Sequence, residues 1–208
     1  MNGMNSTASA GRGQWWLAIG LVALACLGTV ILRLYPIAYN FTPVGALCLF
    51  LGARTRSWGA LAIPLLLMLG TDYLVWCAMP ERTFWHSETP FVYGSFLVMF
   101  LLGRFLVRGS DNPVRILGAA VAGGVPFFLV TNFGAWYNVA IAHTVVPVPG
   151  LDDYSADVFG LLHCYWMGLP FHRAMLSADI VFSAVLFGAY ALASRRAAAT
   201  ETPQEAAS

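Results

Sequence analysis

Charge is what this sequence has least of. Only 10% of its 208 residues are Asp, Glu, Lys or Arg, and lysine is missing altogether, since all eleven basic residues are arginine. A soluble domain carries about 25% charged residues, so there is too little polar surface here to cover a water-facing globule. The formal net charge of +1 gives no electrostatic reason for a nucleic-acid partner. Enzyme signatures are missing too. There is no G-x-S-x-G, H-E-x-x-H, Walker A or G-x-G-x-x-G segment, so no catalytic residues and no cofactor are expected, and the chain does not read as an enzyme. Without an ATP site, energised transport would need another subunit or an ion gradient. Cys26, Cys48, Cys77 and Cys164 form no C-x-x-C pair and read as small buried hydrophobes, with a Cys77–Cys164 disulfide left open. His163 and His172 are nine positions apart, which is no metal-ligand spacing, and no metal site is expected.

What is abundant is apolar sequence. Hydrophobic residues make up 59% of the chain and the mean hydropathy is +0.69. Apolar runs near or above the 18 residues that signal a membrane span recur along it. They fall at Trp15–Leu32, Trp58–Met79, Phe91–Val107, Val114–Val130 and Ala174–Ala193. The first run has only Arg12 before it and no A-x-A site after it, so it reads as a retained helix and not a cleaved signal. Phe41–Ala53 is apolar but short, about 20 Å of helix against a core of about 30 Å. Thr131–Arg173 is mixed, and its apolar piece Phe159–Phe171 is interrupted by Gly168 and Pro170, which suggests a re-entrant or interfacial helix. The expected fold is all-α: one transmembrane bundle over residues 15–193, with six spanning helices, a short re-entrant or interfacial helix, and disordered cytoplasmic tails at 1–14 and 194–208.

Orientation follows from arginine placement. One set of connections holds Arg12, Arg54 and Arg56, Arg104, Arg108 and Arg115, and Arg195 and Arg196; the alternate set holds Glu81, Arg82, Glu88, Asp152, Asp153, Asp157 and Arg173, besides Arg33. This alternation requires Phe41–Ala53 to count as a crossing. It predicts a multi-pass protein of the bacterial inner membrane, with both termini in the cytoplasm.

Ionisable residues inside spans are costly and mark function. Asp72 lies late in the third span and Asp179 early in the last, at similar expected depth from the outer face. Arg33 closes the first span. Asn40-Phe41-Thr42-Pro43 opens the second, with Thr42 as expected N-cap and Pro43 at the first helical position. Tyr93 begins the fourth span, while Asn132 ends the fifth and Trp136 follows it. Asp72, Asp179, Asn132, Asn40, Thr42, Arg33, Trp136 and Tyr93 are therefore the candidate solute-binding residues of an outward pocket. Short interrupted segments such as Phe41–Ala53 and Phe159–Phe171 are the sequence mark of a transporter's substrate site. The second helix's N-terminus suits a carboxylate or carbonyl, and the two aspartates suit a cation, an amine or protons. Against this stand structural pairs (Asp72 with Arg33, Asp179 with Arg173) and an interfacial aromatic belt for Trp136, Tyr93 and Trp166. In the fifth span, Gly118/Ala122, Ala119/Gly123 and Ala120/Gly124 are small-xxx-small pairs, for packing inside the bundle or against a partner.

The segment Asn40-Phe41-Thr42-Pro43-Val44-Gly45-Ala46-Leu47, with Thr71-Asp72, Phe91-Val92-Tyr93, Leu102-Gly103-Arg104, Thr131-Asn132-Phe133-Gly134, and Cys164-Tyr165 before Leu169-Pro170-Phe171 and Asp179, resembles an uncharacterised bacterial membrane-protein family assigned to transport. The resemblance covers about residues 30–192. That family is similar in turn to the S components of energy-coupling-factor transporters. The resemblance implies a six-helix subunit in the lipid bilayer that captures a vitamin-like small molecule or its precursor from the outer face, with a membrane coupling subunit and ATPases as partners. The Met-His start of cobalt- and nickel-binding relatives is missing. The alternative is a non-transporting structural or assembly subunit of a membrane complex.

Overall fold

A computed structural model describes residues 3–37, 40–79, 84–145 and 152–205. Its elements are α1 (Gly3–Leu34), α2 (Val44–Arg54), a 3₁₀ turn (Trp58–Leu61) leading into α3 (Ala62–Ala78), α4 (Thr89–Leu102), α5 (Pro113–Trp136) and α6 (Val158–Glu205). Wider π turns carry α4 on to Val107 and α5 on to Ile141. Among the described residues, five helices are long and apolar enough to cross a membrane: 16–34, 58–78, 89–107, 113–141 and 158–196.

The short helix is the core. Every residue of α2 from Val44 to Ala53 is buried, as expected of a helix that is apolar all round. The long helices do the opposite and turn Leu24, Leu27, Ile31, Leu66, Val125 and Val185 outward. Apolar surface on this scale needs lipid or protein against it. Two glycines let α2 and α4 touch along their backbones. A Cβ at Gly52 would collide with the Phe100 carbonyl, and one at Gly103 with the Leu49 carbonyl. Gly123 meets the Met99 side chain of α4 and Gly124 meets Leu176 of α6, whereas Gly118 faces open space. Two of the three small-residue pairs thus serve packing inside the bundle.

At the end of the bundle reached by α2's C-terminus, arginines bind the connections. Arg54 donates to Ser110 O (3.1 Å) and Asp111 (2.6 Å), with its guanidinium over the rings of Phe187 and Tyr190. Arg104 donates to Arg56 O (2.8 Å) and lies 4.0 Å from the Trp58 ring centre. Asn112 caps α5 by accepting from Val114 N and Arg115 N. The opposite end carries Arg33, Asp72 and the start of α2, so α2 runs from one end toward the other in the same sense as α4 and α6. Glu81 and Arg82, part of the predicted opposite charge set, lie outside the described residues, as does the Arg12 side chain.

Several expectations need correction. Phe159–Phe171 is not a separate re-entrant or interfacial helix but the first part of continuous α6. Gly168 does not break that helix. It admits α5, because a Cβ there would collide with the Asn132 side chain, while Tyr165 donates to Leu129 O at 3.1 Å alongside. Pro170 forgoes one helical hydrogen bond, which membrane helices tolerate. Thr131 and Asn132 do not end α5 either; they donate to Phe127 O (2.8 Å) and Phe128 O (2.9 Å) one turn back, and so sit inside the helix without leaving polar atoms idle. Helix α1 is assigned from Gly3 and α6 as far as Glu205.

Candidate functional site

At about 1.5 Å per residue, the 11 residues of α2 span only about half the thickness of a bilayer core. The space beyond its N-terminus is a cavity of about 290 Å³. Its polar lining comes from Arg33 of α1, Asn40 and Thr42 of the α1–α2 connection, Thr131 of α5 and Asp179 of α6; Met68, Val92, Phe96, Phe127 and Met175 give it apolar walls. Phe96 and Phe127 form a tilted ring pair 5.3 Å apart.

The connection enters this space by a left-handed residue, Asn40 (φ 62°), a conformation that Asn tolerates better than most side chains. Thr42 N–H donates back to Asn40 O at 3.1 Å. Helix α2 begins one residue later than expected, at Val44, with Pro43 in the capping position and no side-chain cap of its own. Thr42 is therefore not the N-cap. A carboxylate from another helix takes that place. Asp179 is 2% exposed and its carboxyl lies against the backbone at Gly45, which sets an acidic side chain at the positive end of the α2 dipole. Gly45 makes this approach possible, since a Cβ there would collide with the Asp179 carboxylate. Arg54 complements the other end of α2. Asp179 Oδ1 keeps no hydrogen-bond partner.

Asp72 is held differently. Its carboxylate pairs with Arg33 and accepts from the Tyr93 hydroxyl at 3.3 Å; Arg33 also donates to Met68 Sδ at 2.9 Å. This ties α1, α3 and α4 together beside the cavity, and Arg33 alone of the ion pair lines it. The anticipated Asp72–Arg33 pair is present, but Asp179 meets α2 and not Arg173. The expected position of Asp179 near the start of a helix does not hold either, because the 158–196 stretch places it near the middle of the span.

Two sequence candidates sit elsewhere. Asn132 packs on Gly168 beside a small side hollow that shares Asn40, Thr131 and Met175 with the main cavity. Trp136 donates from Nε1 to Ser155 O at 2.9 Å, fixing the approach to α6. Next to it Asp157 accepts from Gly160 N and from the Ser155 hydroxyl; these donors hold its carboxyl below the usual carboxylate range. Sequence reasoning missed Gly45, Met68, Phe96 and Phe127. A glycine two positions after Pro43, in the first turn of α2, was the available signal for the first of these. The four cysteines are free, with Cys77 exposed and Cys164 buried, so the open Cys77–Cys164 disulfide is not formed.

The class so defined, among the described residues, is an all-helical protein with five helices of membrane-spanning length and composition around a short buried one. Within that class the chain belongs to a family of unknown function, DUF6580, whose model matches residues 12–203. No curated protein and no solved structure matches it.

Proposed function

We propose that this protein is a membrane subunit that captures a small solute from the outer face of the bacterial inner membrane and acts in its transport. The observation that carries the reading is the cavity at the N-terminus of α2, lined by charged and hydrogen-bonding groups together with apolar walls. Ligand sites have this make-up, mostly apolar with a few convergent polar groups. Buried ionisable groups at membrane depth mark solute or ion pathways. A helix that begins inside the bundle is also the arrangement transporters use at their substrate sites.

In this reading α2 and the connection before it make one of six crossings, both termini are cytoplasmic, and the arginine-bound end faces the cytoplasm. The cavity then opens toward the outside. Likeness to energy-coupling-factor S components adds a coupling subunit and ATPases as the proposed partners. Asn40, Thr42 and Asp179 contact the solute. Asp72 and Tyr93 position Arg33, and Asn132 and Trp136 brace α5 against α6 and its preceding connection.

The test is mass spectrometry of small molecules released from the full-length protein purified in mild detergent, beside Val92→Trp, which fills the cavity. The expected result is a defined small molecule retained by the wild-type protein and lost from a Val92→Trp protein that elutes as a folded species. A wild-type protein that retains nothing under conditions preserving its fold contradicts the reading.

A further inference from the structure

We infer that the cavity selects a small organic cation, an amine with an apolar body, and not a carboxylate. This rests on the reading of the cavity as a solute site and adds the sign of charge.

The inference comes from which charges are already answered. Two positive features border the cavity, Arg33 and the N-terminus of α2. Both are taken. Arg33 directs its two terminal nitrogens to Asp72 and to Met68 Sδ, so its charge is neutralised within the protein. The α2 N-terminus already faces a carboxylate, Asp179, packed against the backbone at Gly45. A solute anion would meet that carboxylate at the site where helix geometry would otherwise attract it.

The unanswered group is an acceptor. Asp179 is 2% exposed, lines the cavity, and has Oδ1 without a hydrogen-bond partner. A buried acceptor left unmade is costly, and a buried carboxylate gains most from a charged donor. An ammonium group supplies both the charge and the N–H. The side-chain-free surface of Gly45 adjoins this oxygen. Around it, the paired rings of Phe96 and Phe127 and the thioethers of Met68 and Met175 suit the apolar body.

Three probes of like body and different head group test the assignment: phenethylamine, 2-phenylethanol and phenylacetate, each added to the full-length protein in detergent while thermal unfolding is followed. Phenethylamine at about ten times its Kd should raise the wild-type Tm by about 3–6 °C, with smaller shifts from the alcohol and none from the acid. Asp179→Asn keeps the shape of the side chain while removing its charge, and should lose the amine effect. A shift from phenylacetate equal to or above that of the amine overturns the cation assignment, as does an amine shift unchanged in Asp179→Asn. If Asp179→Asn does not fold, the wild-type series decides alone. Silence from all three probes also overturns the cation assignment; if a retained molecule is nevertheless found by mass spectrometry, the solute-site reading survives, and if none is found both fall.

Discussion

Arg33 and Asp72 illustrate how one pair can serve the fold and the cavity at once. Their side chains are 22% and 18% exposed, enough desolvation for the loss of either partner to be felt. Removing Arg33 leaves the Asp72 carboxylate with only the Tyr93 hydroxyl for a partner among these three groups, and a lone charge beside apolar walls is unfavourable. Arg33→Gln should therefore lower stability by about 2 kcal/mol. Arg33→Gln combined with Asp72→Asn should cost less than the sum of the single changes, since the orphaned charge is gone. Thermal unfolding of the three variants in detergent measures this coupling. Strict additivity would mean that the pair contributes nothing.

At the scale of elements, α2 decides the arrangement. It is too short to span alone, apolar on every side, and carries compensating charges at both ends, Asp179 at the first and Arg54 at the last. Its contact with α4 depends on Gly52 and Gly103, where the obstacle to any side chain is a carbonyl of the facing helix. A carbonyl in a helix cannot swing aside as a side-chain tip can. Gly103→Ala should accordingly cost about 1–3 kcal/mol through overpacking, visible as a lower Tm, whereas Gly118→Ala, which meets open space, should leave Tm unchanged. Equal effects at the two positions would contradict this packing. The sequence made α2's existence legible through the Asn40–Leu47 segment and its unbroken apolar character. Its cap was not legible, because the group that caps it lies 135 residues away on α6. Gly168 and Pro170 misled for a related reason. Their local meaning is a break, but Gly168 answers to Asn132 on another helix, and local chemistry carries no record of that.

Across the whole molecule, the arrangement is a bundle with unlike ends. One end is closed by arginines against carbonyls and rings; the other encloses the cavity beneath the α1–α2 connection. The helical class was legible from hydropathy, and so was the gathering of Arg33, Asn40, Thr42 and Asp179, because polar residues within or between apolar helices have few places to go. The depth of Asp179 was not, since it depended on where α6 starts. Nor were the apolar walls, as Phe96, Phe127 and Met68 are ordinary residues of apolar helices until the fold aims them at one space.

The central claim, that the cavity at the start of α2 opens to the outside, is tested most directly by thiol labelling in intact cells. Thr42→Cys, placed in a chain whose Cys26, Cys48, Cys77 and Cys164 are replaced by alanine, should react with a membrane-impermeant maleimide added outside. Ser110→Cys, beside Arg54 at the opposite end, should react only after the cytoplasmic face is exposed. Labelling of Cys at 110 from outside, with Cys at 42 reached only from the cytoplasm, would contradict the account.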